Sequence, residues 1–168
     1  MHAMPQMLQG MAELWRHVGL EVVHNFTNEP FVTSDNPVIF FDPDIPENAI
    51  LPYTVRPPQT RVELLFPISP TVLLRGRTEI PAMRQNGRFR HVEMTSRSEV
   101  CRVNRFVARF GYRFVFANHS RLGAFVSKYG ELCPTIRVDS FHHEGVGEFI
   151  KTQMIFGSRP QKPNWNGG

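Results

Sequence analysis

A chain of 168 residues suits one domain with a core of its own, and its composition is that of a globular protein rather than a fibrous or disordered one. No apolar run approaches the roughly 20 residues of a membrane helix, and the opening Met1–Pro5 lacks the basic-then-apolar order of a secretory signal. A cytoplasmic protein is therefore expected, with no membrane association. Cys101 and Cys133 stand outside any CxxC and read as two reduced thiols, a single disulfide being the alternative. The net charge of +4 is modest but uneven: eight arginines lie between Arg84 and Arg113 against only Glu93 and Glu99. Such a cluster attracts phosphate, or it forms a solvated face, or it pairs with carboxylates elsewhere in the fold.

Met4 to His17 has the helical spacing of Met4, Met7, Leu8, Met11, Leu14, Trp15 and Val18, with Gly19 where a terminating glycine would stand. Its methionine-rich stripe suits an adaptable contact surface. Leu20 to Phe26 alternates as a strand, with Leu20, Val22 and His24 on one face and Glu21, Val23 and Asn25 on the other. His24 reads as a satisfied core histidine. Phe31, Val32 and Thr33 have strand character, Ser34-Asp35-Asn36 turns the chain, and Pro37 leads into the apolar run Val38–Phe41. Asp42 to Thr60 carries five prolines and reads as a long loop, either a functional flap or an insertion.

Arg61–Phe66 and Thr71–Arg75 read as two strands of a hairpin turned at Pro67–Pro70. Asn86-Gly87 is a hairpin signal flanked by Pro81–Gln85 and Arg88–Glu93. Thr95 to Phe110 is the clearest helix: Ser96 and Glu99 have the spacing of a capping box, and Val100, Val103, Phe106, Val107 and Phe110 form one apolar arc. Arg102, Arg105 and Arg109 lie opposite that arc, and Asn104 borders it. Tyr112–Ala117 reads as a strand, Ser120–Tyr129 as a short helix, and Thr135–Ser140 and Glu148–Phe156 as a final strand pair. Residues 159–168 read as a flexible tail.

Held stiffly between two apolar runs, the Ser34-Asp35-Asn36 turn is the place where chemistry would sit. Asp35 is either an acid/base or metal-binding carboxylate, or the carboxylate of a structural turn that accepts backbone N–H bonds. Asn104 either orients a substrate or bridges the helix to the Ser34–Asn36 turn, since a buried carboxamide must find partners. Asp35 and Asn104 are thus the candidate catalytic residues, and Ser34, Asn36, Arg102, Arg105 and Arg109 the candidate substrate-binding ones. No metal set is expected. Asp42-Pro-Asp44 reads as a solvated turn, and the adjacent His142 and His143 as loop residues. Familiar nucleotide-binding and hydrolase signatures are absent from the sequence.

Phe31-Val-Thr-Ser-Asp-Asn-Pro-Val38, Phe66-Pro-Ile-Ser-Pro70 and Val103-Asn104 ahead of the aromatic run Tyr112–Ala117 together resemble an uncharacterised bacterial family, domain of unknown function 4238. The resemblance spans about Leu14 to Ala117 and implies the C-terminal half of a longer family fold. It implies no activity or cofactor. The expected fold is α+β, a largely antiparallel or mixed sheet with the Thr95–Phe110 helix packed on one face and short accessory helices, in one domain over residues 1–158. The expected function is a non-catalytic binding or scaffold module. The alternative is part of a metal-dependent hydrolase-like or nuclease-like site at the Ser-Asp-Asn turn. Expected partners are nucleic acid or another phosphate-bearing ligand on the arginine face, and either a missing N-terminal half or a second copy of the chain.

Overall fold

The computed structural model describes residues 16–47, 49–51, 55, 60–80, 89–118, 132–143 and 147–158. In chain order the elements are β1 (Gly19–Asn25), β2 (Thr33–Ser34), β3 (Ile39–Phe41), β4 (Glu63–Ser69), β5 (Val72–Arg77), β6 (Arg90–Met94), α1 (Arg97–Phe110), β7 (Val115–Phe116), β8 (Leu132–His143) and β9 (Gly147–Ser158). Five strands form one mixed sheet in the order β3-β4-β5-β1-β6, antiparallel except for the parallel β1/β6 pair. The fold is α+β. No helix among the described residues is long and apolar enough to cross a membrane.

The helix forms where its apolar spacing predicts, and all five residues of the arc (Val100, Val103, Phe106, Val107 and Phe110) are buried. They pack with Val23, Ile39, Phe41, Leu65 and Leu73 of the sheet, and the Phe106 ring stacks on Phe41 with centroids 4.5 Å apart. Each such side chain contributes about 1.5–3 kcal/mol by leaving water, so this seam between α1 and the sheet is the main adhesive. Ser96 stands at the N-cap with extended φ and ψ, but its hydroxyl makes no cap bond and instead meets the Ser98 hydroxyl at 2.7 Å. The expected capping box is not closed.

The strand faces of β1 divide as the alternation predicts. The face towards α1 carries Glu21, Val23 and Asn25, all buried, while Leu20, Val22 and His24 on the other face are half-buried. His24 is thus not a core histidine: half-buried on the face away from α1, it meets His91, with the rings stacked at 5.1 Å and Nε2 to Nδ1 at 2.8 Å. Gly19, expected as a helix terminator, is the first residue of β1 and pairs with Arg77. On the same far face, Gly76 permits a close approach: a Cβ there would stand 2.6 Å from Val18 Cγ1.

The β4/β5 hairpin turns at Pro70 and Thr71, later than expected, because β4 continues through Pro67 to Ser69 with a register shift between Pro67 and Ser69. Proline is accepted there because β3 pairs with β4 only at residues 63–65, so no ladder bond from residue 67 is required on that side. β6 lies parallel beside β1. The Asn86-Gly87 hairpin signal, the short helix expected over 120–129, the 159–168 tail and the methionine stripe of the first helix lie outside the described residues. β8 and β9 form a hairpin 12 residues long on each side, longer than the spacing suggests, and β8 touches α1. His142 and His143 are strand residues at the end of β8, not loop residues.

Candidate functional site

The segment Pro30–Asn36 is bound along the length of α1 by its own polar side chains. Mid-helix, Asn104 is buried, its Oδ1 accepting from Val32 N at 3.0 Å and its Nδ2 donating to the Pro30 carbonyl at 2.9 Å. The carboxamide thus replaces a missing strand neighbour, giving residues 30–32 both a donor and an acceptor. At the end of the helix Asn36 Nδ2 donates to the Phe110 carbonyl at 2.9 Å, satisfying one of the terminal C=O groups that a helix leaves open.

Asp35 is exposed and faces the chain leaving the helix. Its Oδ1 accepts from Tyr112 N at 2.9 Å and its Oδ2 from Arg113 N at 2.7 Å, while Asp35 N donates to the Phe114 carbonyl. The short β2/β7 pairing continues this register through Ser34↔Val115 and Thr33↔Phe116. The Ser34 hydroxyl closes the turn, donating to the Asn36 carbonyl and accepting from Asn36 N. Gly111 is placed against it, with room for a Cβ only 3.0 Å from Ser34 Cβ. Asn104 and the Asp35 turn therefore grip opposite ends of one seam, separated by about two helical turns or roughly 10 Å of rise. Asn104 bridges to Pro30 and Val32 rather than to the Ser34–Asn36 backbone.

The arginine stripe of α1 faces the proline-rich loop. Arg102 donates to both oxygens of the buried Glu63, at 3.2 and 3.0 Å, and through Nε to Glu47 at 3.2 Å. Its guanidinium also lies over the Phe106 ring, 5.0 Å from the centroid. Arg105 reaches the second Glu47 oxygen at 3.3 Å, and Arg109 donates to the Glu47 backbone carbonyl. One glutamate thus straps the loop to three successive turns of the helix. Burial pulls the Arg102 pKa down, but hydrogen bonding to Glu63 and the charges of Glu63 and Glu47 outweigh it, leaving the group above its ordinary value. For Arg109 burial prevails over the Glu47 attraction and the pKa is lowered. Both remain cationic near neutral pH.

This strap is testable. Glu47→Gln should leave the global stability within about 1 kcal/mol, because these pairs are partly solvated. It should nevertheless speed amide hydrogen exchange across residues 42–51. Unchanged exchange there would mean that Glu47 does not hold the loop.

A second polar region was not anticipated from the sequence. Across the α1-facing side of the sheet, one row runs Ile39, Leu65, Arg75, Glu21 and Arg90, and the next runs Phe41, Glu63 and Arg77. The first row changes from apolar to charged between β4 and β5 and the second between β3 and β4, where Arg102 of α1 reaches over Glu63. The result is a cleft of about 660 Å³ with Arg61, Arg75, Arg77, Arg90 and Arg102 among its lining, opposed by Glu21, Glu63 and Glu79. Glu21 and Arg75 are buried, and Arg75 donates through Nε and Nη2 to Glu21 Oε1, each at 2.6 Å. The only sequence signal was a charged residue recurring at alternate strand positions. Which of the two faces would be inside was undecidable without the partner helix.

Among the described residues no group of three or more histidine, cysteine, aspartate or glutamate side chains stands close enough to hold a metal ion. Asp42 Oδ1 accepts from Asp44 N and Asp44 pairs with Arg61 at 2.7 Å, which makes the Asp42-Pro-Asp44 stretch a turn tied to the rim of the cleft. Cys101 is a half-buried free thiol.

Fold and site together define an α+β protein whose Ser-Asp-Asn turn is locked onto the end of its helix. Residues 1–121 match the family described as protein of unknown function (DUF4238), and the chain belongs to that family. The match takes in the opening residues ahead of Leu14 and stops short of the β8/β9 hairpin. Nothing matches among curated proteins or among solved structures.

Proposed function

We propose that this chain is a non-catalytic binding module in which the Ser34-Asp35-Asn36 turn is architectural. The observation that carries the reading is the placement of the Asp35 carboxylate, each of whose oxygens accepts one backbone N–H just beyond α1. A carboxylate so engaged is spending its charge on ordering the helix exit. The other polar members of the turn are engaged in the same way: Asn36 caps Phe110, Ser34 closes the turn, and Asn104 binds the backbone of residues 30–32. The turn contributes one carboxylate, with no neighbouring base in hydrogen-bond contact and no metal set among the described residues. General acid/base chemistry needs a partner group within hydrogen-bond reach of the reacting proton.

The test is activity and stability measured on the same variants. Asp35→Ala should cost about 1–2 kcal/mol in urea denaturation, an exposed pair of charge-assisted bonds being worth less than a buried one. Asp35→Asn should recover only part of this, since its amide nitrogen cannot accept from the second backbone N–H. The wild-type chain should show no hydrolysis of phosphodiester or phosphomonoester substrates above blank with Mg²⁺ or Mn²⁺. Metal-dependent turnover that Asp35→Asn abolishes would overturn the proposal.

A further inference from the structure

The charged cleft has the dimensions and the unspent hydrogen-bonding capacity of a ligand site. Its volume of about 660 Å³ falls within the roughly 300–1,000 Å³ typical of small-molecule sites. Five guanidiniums face three carboxylates in its lining, and Asp44 and Glu47 just outside it pair with Arg61 and Arg102. The pairing is not spread evenly. Arg75 and Arg102 are committed, at 2.6 and 3.0 Å, to the buried Glu21 and Glu63. Arg77 touches Glu63 with one nitrogen at 3.5 Å, and Arg90 comes no closer than 3.9 Å to Glu21. With five N–H donors on each guanidinium, most of the fork on these two arginines is left over among the described residues.

Strand geometry sets the span between them. Arg77 on β5 and Arg90 on β6 lie on the same face, two strands and one two-residue step apart, so their Cα atoms are about 12 Å from each other. Two arginine side chains reaching inward over that distance leave a gap of the size of a phosphate group. Val62, Ile80, Val92 and Pro43 supply apolar wall beside it for an organic portion. The arginine face that would suit a nucleic-acid strand, by contrast, is engaged by Glu47 and Glu63.

We infer that this cleft binds a small phosphate-bearing organic anion, gripped between Arg77 and Arg90, with Glu21 and Glu63 as positioning carboxylates that hold the surrounding guanidiniums in place. A planar fork that presents two parallel N–H groups suits a phosphate edge better than a point charge would. The inference rests on the reading of the chain as a non-catalytic binding module, and it adds the ligand class and the site.

Isothermal titration of the full chain at low salt, with inorganic pyrophosphate and adenosine diphosphate as probes, tests it. Saturable binding with one site is expected. R77Q/R90Q should raise Kd at least tenfold, and R90Q alone at least threefold; Arg77 and Arg90 side chains are 37% and 70% exposed, so the fold should tolerate both changes. R97Q removes a guanidinium that pairs with Glu29, away from the cleft lining, and should leave Kd within twofold. Absence of saturable binding, equal weakening by R97Q, or binding of a single-stranded oligonucleotide with none of either phosphate probe overturns the cleft assignment. Phosphate release in the same samples, lost in D35N, would instead overturn the non-catalytic reading while leaving the binding result intact.

Discussion

Replacing Asn104 with alanine is expected to lower stability by about 2–4 kcal/mol, because two backbone groups lose their partners at once. Val32 N is buried in the core and Pro30 O lies beside it, and the Asn104 carboxamide is the hydrogen-bond partner of both. For a chain of this length the loss corresponds to roughly 5–15 °C in Tm, readable by thermal or urea unfolding. Asn104→Asp sharpens the test. The introduced carboxyl has the same shape and still accepts from Val32 N, but when ionised it faces the Pro30 carbonyl oxygen and has no proton to donate. Its folded-state pKa is therefore raised above the unfolded value. A group raised in this way stabilises the fold below its unfolded pKa and loses that contribution as pH climbs through the folded one. The deficit of Asn104→Asp relative to wild type should accordingly be largest near pH 7 and shrink towards pH 4. A pH-independent deficit would show that Asn104 fills space and does not bridge.

The second large effect is expected at the Glu21–Arg75 pair, whose side chains are only 4% and 10% exposed. Glu21→Gln alone should cost about 3–5 kcal/mol, since a buried guanidinium left without its carboxylate keeps its desolvation penalty and loses the compensating attraction. Arg75→Met should be similarly damaging. The double variant Glu21→Met/Arg75→Met should lie close to wild type or above it, as replacing both members of a buried pair by apolar side chains removes both penalties. A double-mutant cycle in urea gives the coupling directly. Additive single and double losses would mean that Arg75 and Glu21 act independently and that Arg90 is the real partner of Glu21. The double variant also separates stability from ligand binding, because it strips the floor of the cleft while leaving Arg77 and Arg90 in place.

Periodicity made much of the chain legible. The apolar arc of α1 could be read from Val100 to Phe110 because a 3.6-residue repeat over about three turns has no competing strand interpretation. β1 and its two faces followed from strict alternation, and the β8/β9 pair from two β-rich runs about a short break. The importance of the Ser34-Asp35-Asn36 turn was legible as well, from the proline behind it and the apolar runs on both sides. Its partners were not, because the same carboxylate can serve chemistry or architecture and only long-range packing supplies its neighbours. Those neighbours are the amides of Tyr112 and Arg113, 77 and 78 positions away.

Tertiary structure alone decided the rest, and the reason is the same in each case. Local propensity fixes the conformation of a segment, while polar function depends on what long-range packing brings within 3 Å. Asn104 could be seen to need partners, but residues 30 and 32 became those partners only when α1 lay along the strand. Arg102, Arg105 and Arg109 were visible as a stripe from their spacing, yet their assignment to Glu47 and Glu63 required the proline-rich loop to fold back over the helix. Glu21, Glu63, Arg75 and Arg77 gave no warning of a cleft, since each is an ordinary charged residue in an alternating strand. They converge because strand register sets them in neighbouring rows on one face of the sheet, where they form ion pairs with one another and with Arg102 of α1.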